Sequence, residues 1–194
     1  VDAFVWKLDS SGNLVTGAGV TVALSGGSTA VSEAGSTDSF TVVLNAQPSS
    51  DVVLSVVSAD TGEATVSPTQ LTFTNSNWDT AQTVTVTGVD DSAVDGTQTT
   101  AVTVAVVDGS SDDTYDPVAD STVSVTTSDD DSPGISISES DGSTVTTEAG
   151  GTDTFTVVLN TQPSSDVEIN TSSGDTGEVT VAPTALTFTT SDWD

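Results

Sequence analysis

Apolar residues recur at every second position along most of this chain. Val20 and Val22 open the series, followed by Phe40, Val42 and Leu44, then Val52, Leu54 and Val56, then Leu71 and Phe73. Val84 and Val86, then Val102, Val104 and Val106, then Val123 and Val125 continue it. Period-two alternation sets one face of a strand against a core and the other in solvent. The segments between these runs, "SGGS", "QPSSD", "VDDSAVDG" and "DGSSDD", carry turn residues. No stretch offers helical periodicity of useful length. Seven short strands in about 115 residues predict an all-β fold, an antiparallel, immunoglobulin-like sandwich.

The pattern then repeats. "FTVVLNAQPSSDV" begins at Phe40 and "FTVVLNTQPSSDV" at Phe155. A shift of 115 positions aligns residues 31–79 with 146–194 without a gap, with 33 of the 49 pairs identical. Upstream the match weakens but persists, "GVTVALSGGST" (19–29) facing "GISISESDGST" (134–144). A period this long is a domain rather than a solenoid turn. The expected organisation is therefore a complete sandwich over 18–132, a joint at "DDDSPG" (129–134), and the first part of a second sandwich over 133–194. Phe40 and Phe155 should occupy equivalent buried positions. Residues 1–17, alternating through Phe4, Trp6 and Leu8 before "DSSGN", read as the end of a preceding β element. The second copy runs only to the equivalent of Asp79. The faces of Phe155, Val157, Leu159, Leu186 and Phe188 are expected to be covered by continuing polypeptide or by strands from another chain.

Charge narrows the function. The chain has 29 acidic residues against one base, Lys7, for a net charge of −28, with no His and no Cys. Such a surface repels phosphate backbones and anionic lipid, which excludes nucleic-acid and membrane-surface binding and favours cations. No run approaches the roughly 20 apolar residues of a membrane span. Val, Ile and Thr make up 69 of the 194 residues, which favours ordered strands over disorder. Ser and Thr nucleophiles lack a His base, so no enzymatic activity is expected. Trp78 and Trp193 are equivalent positions, read as packing residues at the sandwich edge rather than platforms for sugar rings.

Four pieces, "VSEAG" (31–35), "VTVTGVDDSAVDG" (84–96), "STVSVTT" (121–127) and the closing "DDD" (129–131), resemble the Calx-β family of β-sandwiches. "DAFVWKLDSSGNLV" (2–15) is similar to the end of a bacterial β-propeller repeat. The first resemblance implies calcium at one end of the sandwich. Its ligands would be Glu33, the Asp90, Asp91 and Asp95 set, the run Asp129, Asp130 and Asp131, and Asp60 from an intermediate loop. Asp95 stands where calcium-binding members usually carry Glu. The second unit keeps Glu148 and Asp175 but no later ligand. Chemistry alone agrees with calcium, since Ca²⁺ accepts many hard carboxylate oxygens and transition metals would want His or Cys. The competing reading is that acidic loops keep a Val- and Thr-rich surface soluble and its edges unpaired. Together the resemblances imply a structural repeat module of an extracellular bacterial surface protein, an adhesin, matrix or filament component. Its partners would be neighbouring repeats and other copies of itself. The alternative is a carbohydrate- or cell-binding adhesive module, with a glycan as partner.

Overall fold

Where the alternation finds ladder partners it becomes two facing sheets. The computed structural model describes residues 17–194, so the β element and propeller-like segment expected within residues 1–16 lie outside the described residues. The chain divides into two compact units, one running up to Asp91 and resuming over Gly96–Asp129, the other formed by Ser92–Asp95 and Asp130–Asp194. Strands of the first unit are β1 (Val20–Leu24), β2 (Thr29–Ser32), β3 (Thr37–Leu44), β4 (Val52–Ser58), β5 (Ala64–Ser67), β6 (Gln70–Phe73), β7 (Gln82–Gly88), β8 (Gln98–Val106) and β9 (Ser121–Ser128). One sheet has the order β1-β3-β7-β5 and the other β2-β9-β8-β4-β6. Among the described residues no helix is long and apolar enough to cross a membrane.

The core lies between these sheets. Phe40, Val42, Leu44, Val84 and Val86 enter it from the four-stranded sheet. Val52, Leu54, Val56, Phe73, Val102 and Val125 enter from the five-stranded one. All seven strands expected from alternation are present, and two more accompany them. Strands β2 and β5 carry the short segments "TAVS" and "ATVS", too brief to announce themselves by pattern. Each has a single ladder partner: β2 pairs with β9 and β5 with β7. The β2–β9 pairing is parallel, so the sandwich is not purely antiparallel as expected.

A knot of hydrogen bonds closes one end of the first unit. Asp112, in the β8–β9 connection and only 4% exposed, receives Ser49 N–H at 2.6 Å, Ser49 Oγ at 2.7 Å and Ser50 N–H at 3.1 Å. Its other oxygen receives Thr114 N–H and Oγ1, at 2.9 and 2.6 Å. Nearby, the Tyr115 hydroxyl donates to the Ala46 carbonyl. The "QPSSD" turn between β3 and β4 is thereby tied to the β8–β9 connection. Hydrogen bonds from the Thr114 hydroxyl, then from Ser49, hold the Asp112 carboxyl far below the usual carboxylate range.

The second unit keeps two hairpins. Strand β10 (Ile135–Glu139) pairs with β11 (Phe155–Leu159), and β12 (Val167–Asn170) with β13 (Ala185–Phe188). Ser92–Asp95, expected within the first sandwich, groups here instead, with Gln162 N–H donating to the Ser92 carbonyl at 2.8 Å. What is missing follows one rule. In β3, residues 40–44 pair with β1 while 37–42 pair with β7. Strand β11 retains only the equivalents of 40–44. In β4, residues 52–55 pair with β6 while 54–58 pair with β8, and β12 retains only the equivalents of 52–55. Segments 144–147 and 179–182, which correspond to β2 and β5, form no strand. Every lost strand residue is one whose counterpart relies on β7, β8 or β9. A backbone that finds no ladder partner leaves its polar groups to water and gives up the strand.

Burial follows pairing. Phe40, opposite Val84 of β7, is 0% exposed, whereas Phe155 is 36% exposed. The expectation of equal burial fails at Phe155 because no strand covers it from the β7 side.

Two predictions arise here. Phe40→Ala should lower the unfolding free energy by about 3–5 kcal/mol, as large-to-small core changes do, while Phe155→Ala should cost under about 1 kcal/mol. Urea denaturation of the two variants against the parent chain checks both. A carboxyl whose folded pKa is depressed contributes stability above its unfolded pKa, and that contribution is lost as pH falls through the folded value. Asp112→Asn should therefore melt well below the parent chain at neutral pH. The gap should narrow as pH drops below about 4, the ordinary Asp value. Melting curves from pH 7 to pH 2 measure it.

Candidate metal centre

The other end of the first unit gathers carboxylates. Strands β2, β4, β7 and β9 finish there, and β3, β5 and β8 start there, so several acidic loops converge. Glu33 directly follows β2, and its N–H donates to the Ser128 carbonyl at 3.1 Å, continuing the parallel β2–β9 ladder. Three features aim this corner. Asp38 clasps the start of β2 by accepting the Ala30 N–H at 3.0 Å, and it also takes the Ser25 hydroxyl. That Ser25 contact, followed by the Ala30 and Ser39 N–H groups, lowers the Asp38 pKa. Gly88 lets β2 approach β7: a Cβ there would lie 2.1 Å from the Ser32 carbonyl oxygen. Gly35, at φ +77°, supplies the left-handed residue in the turn that follows Glu33.

Two pairs of carboxylates result. The Glu33 side chain is 1% exposed, and a carboxylate oxygen of Asp129 lies within 4.8 Å of one of its own. Asp129 is held by the Gly96 N–H, which donates to its Oδ2 at 2.7 Å. Glu63 and Asp91 also bring carboxylate oxygens within 4.8 Å of each other, Glu63 half-buried and Asp91 exposed. The Glu63 carbonyl accepts from Val89 N–H at 3.0 Å and from Thr127 Oγ1 at 3.3 Å, fixing that loop to the ends of β7 and β9.

Glu63 is the member of these carboxylate pairs that the sequence reading does not include. Asp60 was singled out from the same loop, but its Oδ1 accepts the Gly62 N–H at 2.9 Å and shapes the turn that delivers Glu63. The repeated "DTGE", at 60–63 and 175–178, was the available signal. Asp90 is exposed and outside both pairs. Asp95, Asp130 and Asp131 group by their contacts with the second unit, Asp131 half-buried and the other two exposed. Trp78 packs against the core, and its carbonyl accepts the Leu44 N–H at 3.1 Å; Trp193 repeats that bond to Leu159 at 3.0 Å.

The donor set suits a hard cation. Every side chain involved offers carboxylate oxygen, and the chain has no His or Cys to hold a transition metal. Two ionised carboxylates 4.8 Å apart repel by roughly 3.5 kcal/mol at an effective dielectric constant near 20. A divalent cation between them would turn that repulsion into attraction.

No family model matches the chain, and no curated protein matches it. Among solved structures it is similar to the E. coli chaperone DraB at 8% identity, over 77% of this chain and 90% of that one, with a TM-score of 0.42. It is also similar to a PapD-like domain of human CEP192, at 10% identity over 58% of this chain and 86% of that one, TM-score 0.37. A third likeness is to SSP-19 of Caenorhabditis elegans, an MSP-domain-like protein, at 17% identity over 53% and 92%, TM-score 0.35. These are β-sandwich likenesses of a level that carries no functional inference.

Gly88→Ala should destabilise the first unit by about 1–3 kcal/mol, the usual cost of overpacking, because the clash is with backbone rather than a yielding side chain. Chemical denaturation reads the loss. Ala at Gly109, whose Cβ would meet nothing within 4 Å, is the matched control and should stay close to the parent.

Proposed function

We propose that the first unit is a calcium-stiffened structural module of an extracellular bacterial repeat protein, of the Calx-β type suggested by its sequence motifs. One observation carries the calcium assignment: Glu33 is buried at 1% exposure with the Asp129 carboxylate within 4.8 Å. Burying an ionised carboxylate is costly, and placing a second one beside it adds to the cost, unless a cation or a proton compensates. Glu63 and Asp91 form a second pair at the same end. The motif resemblance adds Asp60, Asp90, Asp95, Asp130 and Asp131 as further candidate ligands.

The structural role rests on what surrounds that end. Both sheets are filled by core side chains, and Trp78, the candidate sugar platform, is committed to packing. The natural partners of such a module are neighbouring copies of the same sandwich. A carbohydrate- or cell-binding adhesive role is the alternative, and selective signal on a glycan array would favour it.

Calcium binding to the folded state alone should raise the melting temperature, corresponding to about 2.7 kcal/mol at a hundredfold excess over Kd. Chelation should reverse the rise. Glu33→Gln removes one of the two facing charges, so it should melt higher than the parent in chelator and no longer respond to calcium. Scanning calorimetry at constant ionic strength, across millimolar calcium, tests this directly. An unchanged parent melt would refute the site.

A further inference from the structure

The second unit presents half of an interface whose other half can be read from the first. Its β11 edge, where β7 would pair, carries Phe155 at 36% exposure, and Val157, Leu186 and Phe188 are only half-buried. The "QPSSD" turn is repeated at 162–166, so Ser164 and Ser165 stand where Ser49 and Ser50 cradle the Asp112 carboxylate. Among the described residues no carboxylate fills that second cradle. Strands β11 and β12 are trimmed to the residues paired within their own hairpins, and 144–147 and 179–182 remain outside any ladder.

We propose that the second unit is an acceptor for a polypeptide segment of the β7–β9 type, supplied by chain of the same repeat. Its first strand adds to β11 as β7 adds to β3, setting a Val opposite Phe155 as Val84 is set opposite Phe40. Its second strand adds to β12 as β8 adds to β4. The loop between its second and third strands places an Asp carboxylate on Ser164 and Ser165, which fixes the register. Its third strand then gives 144–147 the parallel partner that β9 gives β2, and its first strand gives 179–182 the partner that β7 gives β5.

The occupant follows from the repeat itself. The acceptor surface is the counterpart of the residues that, 115 positions earlier, pair with β7, β8 and β9, and five of the six β3 residues that pair with β7 are identical in 152–157. An intact second copy is the poorer candidate. Its own β7–β9 are already paired in its first unit, so donating them opens as many ladders as it closes. The proposal is independent of calcium. Donor and acceptor are both acidic, so association should strengthen as salt screens their repulsion.

The test uses the 194-residue chain with a synthetic peptide of residues 82–128, in chelator, at low and high salt. Hydrogen exchange read by mass spectrometry should show new protection at 152–159 and 167–173, together with 144–147 and 179–182. The last two segments are diagnostic, because they gain ladders only if the whole segment docks in register. Peptide carrying Asp112→Asn should bind at least about tenfold more weakly, as loss of a charge-assisted cradle implies. Phe155→Asp in the chain should abolish the protection. The proposal is overturned if a scrambled peptide protects equally, or if binding survives Phe155→Asp. It is equally overturned if no protection appears at high salt, or if the chain alone self-associates through 155–159 and excludes the peptide.

Discussion

The ladders that β7 and β8 make with β3 and β4 hold the first unit together. Each of these four strands has a ladder neighbour on both sides over part of its length, and their inward side chains meet across a closed core. The second unit shows what the same residues do without that flanking. Its strands shorten to the positions paired within hairpins, and a Phe that is wholly buried in one copy is 36% exposed in the other. Hydrogen-bond satisfaction and apolar burial are thus one event in this sandwich, because the strand that pairs an edge also covers the adjoining face.

The two ends of the first unit use acidic residues in opposite ways. At one end Asp112 is an acceptor inside a complete set of donors, so its negative charge is stabilised by the fold. At the other, Glu33 and Asp129 are brought together by a parallel ladder and a Gly96 hydrogen bond, each carboxylate within reach of the other's repulsion. The first arrangement is a staple. The second is the kind of site a hard cation completes. The acids of this chain are therefore not used uniformly: Asp112, Asp38 and Asp60 fasten backbone, while Glu33, Asp129, Glu63 and Asp91 converge.

The strong strands were legible because their apolar residues alternate over three or more positions, as in Phe40–Val42–Leu44 and Val102–Val104–Val106. Strands β2 and β5 were not, since four-residue segments such as "TAVS" become strands only through their partners β9 and β7. Motif resemblance named Glu33, Asp91 and Asp129, each of which the fold brings near another carboxylate. That Glu63, rather than Asp60 of the same loop, brings a carboxylate oxygen near Asp91 is not legible in sequence, which shows which acids share a loop but not how its turn orients them. The role of Asp112 was not legible: Thr114 lies two positions on, but the donors that make it a link between loops, Ser49 and Ser50, lie more than sixty positions away.

The amino-acid sequence by itself determined the class of structure, the repeat and its period, and the restriction of any metal to a hard cation. These are local or compositional properties: side-chain alternation at a period of two, identity at a fixed offset, and the absence of His and Cys. Tertiary structure alone decided which residues of each strand remain strand, which of two identical Phe environments is buried, and which carboxylates face one another. Those outcomes depend on partners distant along the chain, and the same "FTVVLN" can be a full core strand or a trimmed edge according to what pairs beside it.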